Sequence, residues 1–423
     1  MANDFTKQEL VMFDEMLMGF DDMLIIAKGA SIYNPTTAQE MERSNDRIWR
    51  PQPYIATSYD GFDQSANFGN ITQLSVPVGL GLHKSVPGSM TAKNLRDPNQ
   101  LAKYGDAAKQ KLASDVNQSV MTTCCLMGSV VSKRTAAASG FDDVADIDAA
   151  FTEQGVDQAD RLAFYSSRDY NSMASNLASR VLDNSKSLDA YEKAYIGEVS
   201  SFDTFKNDQN YRLTAAAGVT VKVNGANQYY VPVGHTTDAL GNTTNVDNRY
   251  QNITISVGSG TVKVGDAFTI AGVNAVHHIT KLDTGQLKTF RITDIVSGAG
   301  GSGVVTITPP IISAGGGSKA ELEYQNVTAT PADQAVITFL NTTTGRVNPF
   351  FIKKAVEIIP GSFAVEPEDG WAVLRGTTDL GIGITYVRQG SINDLTMKYR
   401  WDIDWGVGAL NTEMMGIQMF SQA

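Results

Sequence analysis

The chain has 423 residues, 42% of them hydrophobic and 19% charged, so it can bury sizeable cores and is not globally disordered. Its formal net charge of -11 argues against a protein that reads nucleic acid, which needs a basic face to neutralise phosphates. The only two cysteines, Cys124 and Cys125, are adjacent and on a helix would point about 100° apart, so they neither bridge each other nor make a zinc site, and free thiols fit a reducing cytoplasm.

The opening residues MANDFTKQEL lack the basic-then-apolar order of a signal peptide, and no apolar run approaches the ~18 residues of a membrane span. Residues 1–29 read as one amphipathic helix. Thr6 and Glu9 form a capping box, and Leu10, Phe13, Leu17, Phe20 and Leu24 follow at helical spacing. Asp14, Glu15, Asp21 and Asp22 supply an acidic opposite side, and Asn34-Pro35 breaks the pattern. From residue 48 the character changes. Pro51 and Pro53 force an extended chain, and YDGFDQSANFGN is turn-rich. ITQLSVPVGLGLHKSV then alternates through Ile71, Leu74, Val76, Val78, Leu80 and Leu82 as one long strand. Pro77 removes a ladder donor, which places that strand at an edge or on a protruding hairpin. Such an arm is a poor catalytic scaffold and a good handle for a neighbouring subunit.

Asp97 to Ser132 is the longest helical stretch, with Asp97 as cap, Pro98 in the first turn and apolar residues from Leu101 to Val130 mostly three or four apart. About 35 helical residues would span roughly 50 Å. Residues 141–215 read as α/β: FDDVADIDAAFTEQG is a helix, RLAFYSS a strand, RDYNSMASNLASRVLDN a helix. At 216 a Gly/Thr/Val/Asn-rich β-region opens and runs to 335. Its six candidate strands are VTVKV, QYYVPV, ITISV, AFTIAGV, TFRITDI and GVVTITP, which suggest a small barrel or sandwich. The α/β character then returns through FFIKKAVEII, GITYVRQG and MKYRWDIDWGVGAL, so the β-region reads as a domain inserted into one framework.

The segment HHITKLDTGQ, residues 277–286, imitates chemistry. His277 and His278 are consecutive on an expected strand, so they point to opposite faces and do not share a metal. Asp283-Thr284-Gly285 occurs once, between Lys281 and Lys288, whereas an aspartic protease needs two buried carboxylates; turn chemistry explains it better. GLGLHK, GSGTVK, GAGGSG and GGGSK do not match a phosphate loop, and no G-x-S-x-G elbow exists. Asp142, Asp143, Asp146 and Asp148 do not follow EF-hand order and read as a helix start with favourable dipole placement. Trp49, Trp371, Trp401 and Trp405 could stack sugars, but core packing is the favoured reading. No catalytic, cofactor or metal residue is expected.

The order of these pieces resembles the coat (major capsid) proteins of short-tailed bacteriophages that carry an inserted domain on the tailed-phage capsid fold. RSNDRIWRPQPYI resembles that family's entry into its extended loop. NLRDPNQLAKYGDAAKQKLASDVNQSVMTTCCLMGSVV is similar to its spine helix, NVDNRYQNITIS and VGDAFTIAGVNAV to its insertion domain, and RVNPFFIKKAVEII to the return to its core. The resemblance implies an α+β fold: an N-terminal arm (1–47), an extended β-loop (48–93), a spine helix with the first part of the core (94–215), an inserted six-stranded β-barrel-like domain (216–335) and a return to the core (336–423).

It further implies a homo-oligomer of hundreds of copies, closed with a scaffolding protein into an icosahedral shell in the host cytoplasm. A portal would sit at one vertex, double-stranded DNA inside, and neither membrane nor cofactor would be needed. Asp14, Glu15, Asp21 and Asp22 are then the candidate scaffold contact. Trp49, Arg50, Pro77, Lys84, Asp238, Asp247 and Arg249 are candidate contacts between subunits. The rival readings are a non-viral nanocompartment shell, a glycan-binding virion protein using the tryptophans, and a hydrolase using Asp283.

Overall fold

The computed structural model describes residues 5, 7–33, 47–65, 67–91, 93–94, 97–179, 196–363, 372–391 and 393–422. The first periodic run forms the helix Lys7–Phe20, which buries Met12, Phe13, Met16 and Phe20. This is shorter than the single helix expected to reach residue 29. Beyond Phe20 the chain tightens into 3-10 turns, Asp21–Met23 and Ala27–Gly29. Side chains there take the bonds a helix would have made. Asp21 Oδ2 accepts the Leu380 N–H at 3.1 Å. Asn117 accepts from the Ile25 and Ala27 N–H groups and donates to Met23 O. Thr6 of the expected capping box lies outside the described residues.

The spine helix is Pro98–Met127, 30 residues long and therefore ~45 Å. Ala108, Leu112, Val116 and Val120 are buried along it, and so are Cys124 and Cys125, whose burial pushes both thiols up, Cys125 to about 12. It ends earlier than expected: the Gly128 N–H makes the last bond of the helix pattern, to Cys124 O at 2.9 Å, and the chain then turns into a strand. A Cβ at 128 would stand 2.8 Å from that oxygen and 3.1 Å from the Gly416 backbone. Val130, expected inside the helix, instead begins the strand Val130–Lys133. Among the described residues no helix is long and apolar enough to cross a membrane.

The chain divides into two compact units. The first comprises Met1–Ile48, Val78–Val120 and Val356–Gly408. Its sheet runs Ser31–Ile32, Val356–Pro360, Thr396–Ala409, Gly383–Ser391, Ala372–Thr377. Leu82–Thr91 also pairs antiparallel along Thr396–Ala409, from Leu82 opposite Trp405 to Thr91 opposite Thr396. The alternation expected as one long strand is thus two strands broken at Leu80-Gly81. The other part, Ser75–Gly79, pairs with Arg47–Pro51 in a two-stranded ribbon, whose outer sides tolerate Pro77. Alternate residues Tyr399, Trp401, Ile403 and Trp405 are buried on one face. Trp401 stacks on Phe13 at 6.0 Å and tilts against Tyr386 at 4.4 Å; Trp405 Nε1 donates to Ser119 Oγ at 2.9 Å. Tyr104 donates to Val86 O, and its ring occupies the space a Cβ on Gly88 would need, 2.6 Å away. These two tryptophans are core, not a sugar platform. Trp49 is half-buried, and Trp371 lies outside the described residues.

The second unit comprises Trp49–Pro77, Met121–Ala355 and Ala409–Ala423. One of its sheets runs Val130–Lys133, Met415–Met419, Asn348–Ile352, Arg161–Ser166, Phe202–Asn207, Glu198–Val199. Phe151, Phe202 and Phe350 pack together beside it. The helix Phe141–Glu153 forms where FDDVADID predicted one. Asp143 is buried and capped by the Gly140 N–H at 2.9 Å, with Arg134 Nη2 2.9 Å from its other oxygen.

The inserted domain is a sheet in the order Val219–Val223, Gln251–Ser259, Gly303–Thr308, Asp283–Ile295, Ala267–Val276, Ile337–Phe339. Lys222 bridges to Val336 and the Val223 N–H reaches Ala335 O at 2.9 Å, so the barrel nearly closes. Ile253, Ile255, Phe268, Phe290, Ile292 and Ile307 fill it. The expected strands recur except QYYVPV. There Pro232 has no donor, and Tyr230 is held from the side by Ile311 O and Asn248 Oδ1. The sixth strand is Ile337–Phe339 instead.

Candidate assembly surfaces

On the N-terminal helix and its extension, Asp14, Glu15 and Asp22 are exposed, together with Leu10, Val11, Met18 and Ile25. Within the helix Leu10, Val11, Asp14, Glu15 and Met18 are three or four apart, so one exposed face mixes apolar and acidic side chains, with Asp22 and Ile25 exposed just beyond it. It suits a basic amphipathic segment. Asp21 does not belong to it, because it is turned inward onto Leu380. Asp22 meets Lys28 at 3.5 Å.

Residues 52–65 and 67–74 carry no regular structure, yet they are anchored. At the base, the Gln52 N–H donates to Leu74 O at 2.8 Å, Gln52 Nε2 to Leu410 O at 2.9 Å, and Tyr324 Oη to Thr72 O at 3.0 Å. Leu74 is buried against Ile312 and Tyr324. The tip is held by its own polar groups, Gln64 Nε2 to Gly61 O at 2.6 Å and Asn67 Nδ2 to Gln64 Oε1 at 2.7 Å. Over this frame Tyr54, Tyr59, Phe62, Phe68 and Ile71 face outward, Phe62 110% and Phe68 86% exposed. Grouped aromatics held outward on an anchored loop mark an interaction surface. YDGFDQSANFGN is turn-rich by composition, and its Tyr and Phe residues at turn positions are the sequence signal of this outward-facing surface. Trp49, Arg50 and Pro77 are half-buried in the neighbouring ribbon, and Lys84 is exposed on Leu82–Thr91.

In the inserted domain, His235–Thr237 and Thr243–Asn245 pair as a fully exposed hairpin with Leu240 at the tip. Asp238 Oδ1 accepts the N–H groups of Leu240 and Asn242 at 2.8 and 2.9 Å, and its bonds from Asn242 hold the carboxyl below its ordinary value. Asp247 and Arg249 are not at the tip. They clasp each other at 2.6 and 2.9 Å, and Arg249 Nη1 donates to Ala409 O at 2.8 Å, so both act within the chain.

The first six residues of HHITKLDTGQ, 277–282, are the turn joining Ala267–Val276 to Asp283–Ile295. His277 and His278 lie in the turn, not on the strand as expected; His277 Nδ1 accepts the Ile279 and Thr280 N–H groups. Asp283, expected in a turn, opens the strand Asp283–Ile295 instead, opposite Val276; it is exposed and takes the Gly285 N–H at 2.8 Å, with Gly285 at φ +74 where the pairing is irregular. Among the described residues no three His, Cys, Asp or Glu side chains are grouped to hold a metal.

What the sequence did not reveal is that this turn docks on the core. The His278 N–H donates to Gln154 O at 2.9 Å, and Lys288 Nζ lies 2.5 Å from Glu413 Oε1. Burial would raise the Glu413 carboxyl, but Lys288, then His278 and Lys281, hold it below its ordinary value. Burial depresses His278, and it depresses Lys281 to about 8 against the pull of Glu413.

A base whose folded pKa is lowered destabilises the fold while protonated, and that penalty is relieved as pH rises through its folded value towards its unfolded one. For Lys281 the window is pH 8 to 10.5. Across it the melting temperature of wild type should gain on that of Lys281→Met, as measured by paired thermal melts. A constant difference would refute the burial of the Lys281 ammonium as the cause.

The family described as P22 coat protein, gene protein 5, matches residues 1–421. A solved coat protein I-domain of CUS-3 is 44% identical over 29% of this chain and 95% of its own, with a TM-score of 0.23. Capsid structures of cyanophage P-SCSP1u (10% identity, 95% of this chain, 89% of that one, TM-score 0.45) and of the head of Helicobacter pylori bacteriophage KHP40 (9%, 100%, 93%, 0.40) also align.

Proposed function

Since the chain belongs to the P22 coat protein family, and is a phage major capsid protein, we propose that its anchored aromatic loop is the grip by which copies hold one another in a closed shell. The observation that carries this is the exposure of Phe62 and Phe68 on a loop whose base is fixed. A rigid apolar projection loses little entropy when a neighbour covers it. Head-to-tail contacts of this kind close into shells when the rotation between copies is right, and many modest contacts add to a stable particle.

In this reading hundreds of copies form an icosahedral shell around packaged double-stranded DNA, with a portal at one vertex. The net charge of -11 suits a wall that must not trap its contents. The stripe bearing Asp14, Glu15 and Asp22 receives a basic scaffolding segment during assembly in the host cytoplasm. Asp238 on the exposed hairpin meets a cation on an adjoining copy. Trp49, Arg50, Pro77 and Lys84 line the same kind of contact between subunits. The role is structural and not catalytic.

One assembly assay, light scattering with negative-stain microscopy, tests these surfaces. Phe62→Ser with Phe68→Ser should abolish shells at concentrations where wild type closes, while circular dichroism stays unchanged. Asp14→Lys with Glu15→Lys should slow only assembly that depends on scaffold, as added salt does to wild type. Asp238→Lys should weaken finished particles to heat. Normal shells from the double phenylalanine variant would remove the central claim.

A further inference from the structure

The inserted barrel closes through a short seam. The Val223 N–H donates to Ala335 O at 2.9 Å, and the Gln334 N–H donates to Val223 O at 3.0 Å. Asn224 and Gly225 follow at once, past the end of the strand Val219–Val223. Asn224 is exposed, and Gly225 has φ +106, a backbone region that favours glycine. The peptide between them is held from both sides. Gln228 Nε2 donates to Asn224 O at 2.7 Å, and the Gly225 N–H donates to Asp333 Oδ1 at 2.8 Å. We propose that Asn224 is a site of self-modification, an amide that the Gly225 nitrogen converts through a cyclic imide, and that Asp333 restrains the conversion by holding that N–H.

The reaction needs only water. A solvent base takes the Gly225 N–H proton, and the nitrogen lone pair attacks Asn224 Cγ. The carbonyl electrons move onto Oδ1 and return as the Cγ–Nδ2 bond breaks. Nδ2 takes a proton from solvent and leaves as ammonia, and the chain now carries a succinimide. Water then adds to one of the two ring carbonyls, the bond from that carbon to the ring nitrogen breaks, and the nitrogen regains its proton. Opening at the side-chain carbonyl leaves an aspartate. Opening at the main-chain carbonyl leaves an isoaspartate, with the backbone running through the former side chain. Net, an amide and water become a carboxylate and ammonium.

The turn itself creates this liability. Its conformation requires glycine at 225, and glycine is the neighbour with no side chain to obstruct ring closure. The attacking species is the deprotonated nitrogen, so a carboxylate that accepts its N–H keeps the proton in place. The same bond holds the Asp333 carboxyl below its ordinary value, which keeps it ionised for the task. Pinned on both sides, the peptide cannot rotate freely to bring its nitrogen onto Cγ. Conversion would bear directly on the barrel. An isoaspartate adds a carbon to the main chain next to Val223, whose side chain is in the barrel core and whose N–H and C=O both close the seam. The seam then loses its register and the barrel loosens.

The test is peptide mapping of the purified full-length protein during prolonged folded incubation at mildly alkaline pH, with aspartate and isoaspartate products separated by chromatography. Wild type should convert slowly at Asn224. Asp333→Ala, with unchanged circular dichroism, should convert roughly threefold to tenfold faster, the range one hydrogen bond commands. Asn224→Gln should not convert at that position, and converted wild type should melt below fresh wild type. Equal rates in wild type and Asp333→Ala overturn the proposal, and so does conversion confined to other asparagines. Wild type in urea, where the turn is lost, should convert at least as fast as the alanine variant. Folded wild type that matches its own rate in urea overturns the restraint without recourse to any variant.

Discussion

Asp148→Ala should lower the folding stability of the second unit by about 3 kcal/mol, at the lower end of what breaking a buried ion pair costs. Its partner Arg161 has no exposed side-chain surface and lies between the Phe151 and Phe202 rings, 5.6 Å from each centroid. Nε and Nη2 of Arg161 reach Asp157 O and Val156 O at 2.8 and 2.7 Å, whereas Asp148 bonds Nη1 through its carboxylate, and the Asp157 carboxylate acts on it without a direct bond. Burial already depresses the guanidinium, and Asp148 is the first of the groups that restore it. Removing the carboxylate strands a charge that cannot reach water. It also releases Ser200 and Ser201, whose hydroxyls bond it at 3.1 and 2.8 Å. The lower end of the range applies because Asp148 is 28% exposed, so solvent already screens part of the interaction. Asp148→Asn can keep an acceptor for Arg161 and Ser201 but loses the charge and the acceptor for the Ser200 hydroxyl, and should still cost less than alanine. Urea unfolding followed by far-UV circular dichroism measures both; an alanine variant within about 1 kcal/mol of wild type would show the pair to be dispensable.

Trp401→Ala should destabilise the first unit by about 3–5 kcal/mol, the usual cost of emptying a large aromatic site. The indole is fully buried between Phe13 and Tyr386, in the middle of the longest strand, where the sheet cannot collapse into the void. Trp401→Phe should cost much less. Trp401 Nε1 is buried without a hydrogen-bond partner, so phenylalanine removes an unmet donor as it removes area. Calorimetry of the three proteins checks this. If phenylalanine proves as damaging as alanine, the ring volume and not its polar edge controls the site.

The parts of this fold that could be read in advance are those written as periodicity. The spine helix and most barrel strands repeat their apolar residues every 3.6 or every 2 positions, and tertiary packing had no reason to override them. The misreadings occur where a long-range side chain intervenes. The first helix stops at Phe20 because Asn117 and Leu380, far along the chain, take up Asp21 and the backbone that follows it. Spacing alone carries the expected spine helix past Met127 to Val130, although Gly128 is the visible stop. The aspartates of FDDVADID were assigned to the helix dipole as a group, whereas Asp143 closes the cap and binds Arg134, and Asp148 binds Arg161. Of the acidic set, Asp21 looks from spacing like its neighbours; only the fold turns it inward. The meeting of Lys288 and Glu413 spans 125 residues and leaves no local trace.

The sheet order of the second unit bears on how a growing chain matures. Met415–Met419 lies inside that sheet, flanked by Val130–Lys133 on one side and Asn348–Ile352 on the other. It emerges from the ribosome after every other strand of the sheet. Until then two ladder edges stay open, and Val130–Lys133 has no strand of its own sheet to pair with, while the barrel strands between Val219 and Phe339 are already complete. Nascent chains should therefore hold a finished accessory module on an unfinished body, and a chaperone would be needed most during synthesis of the final stretch.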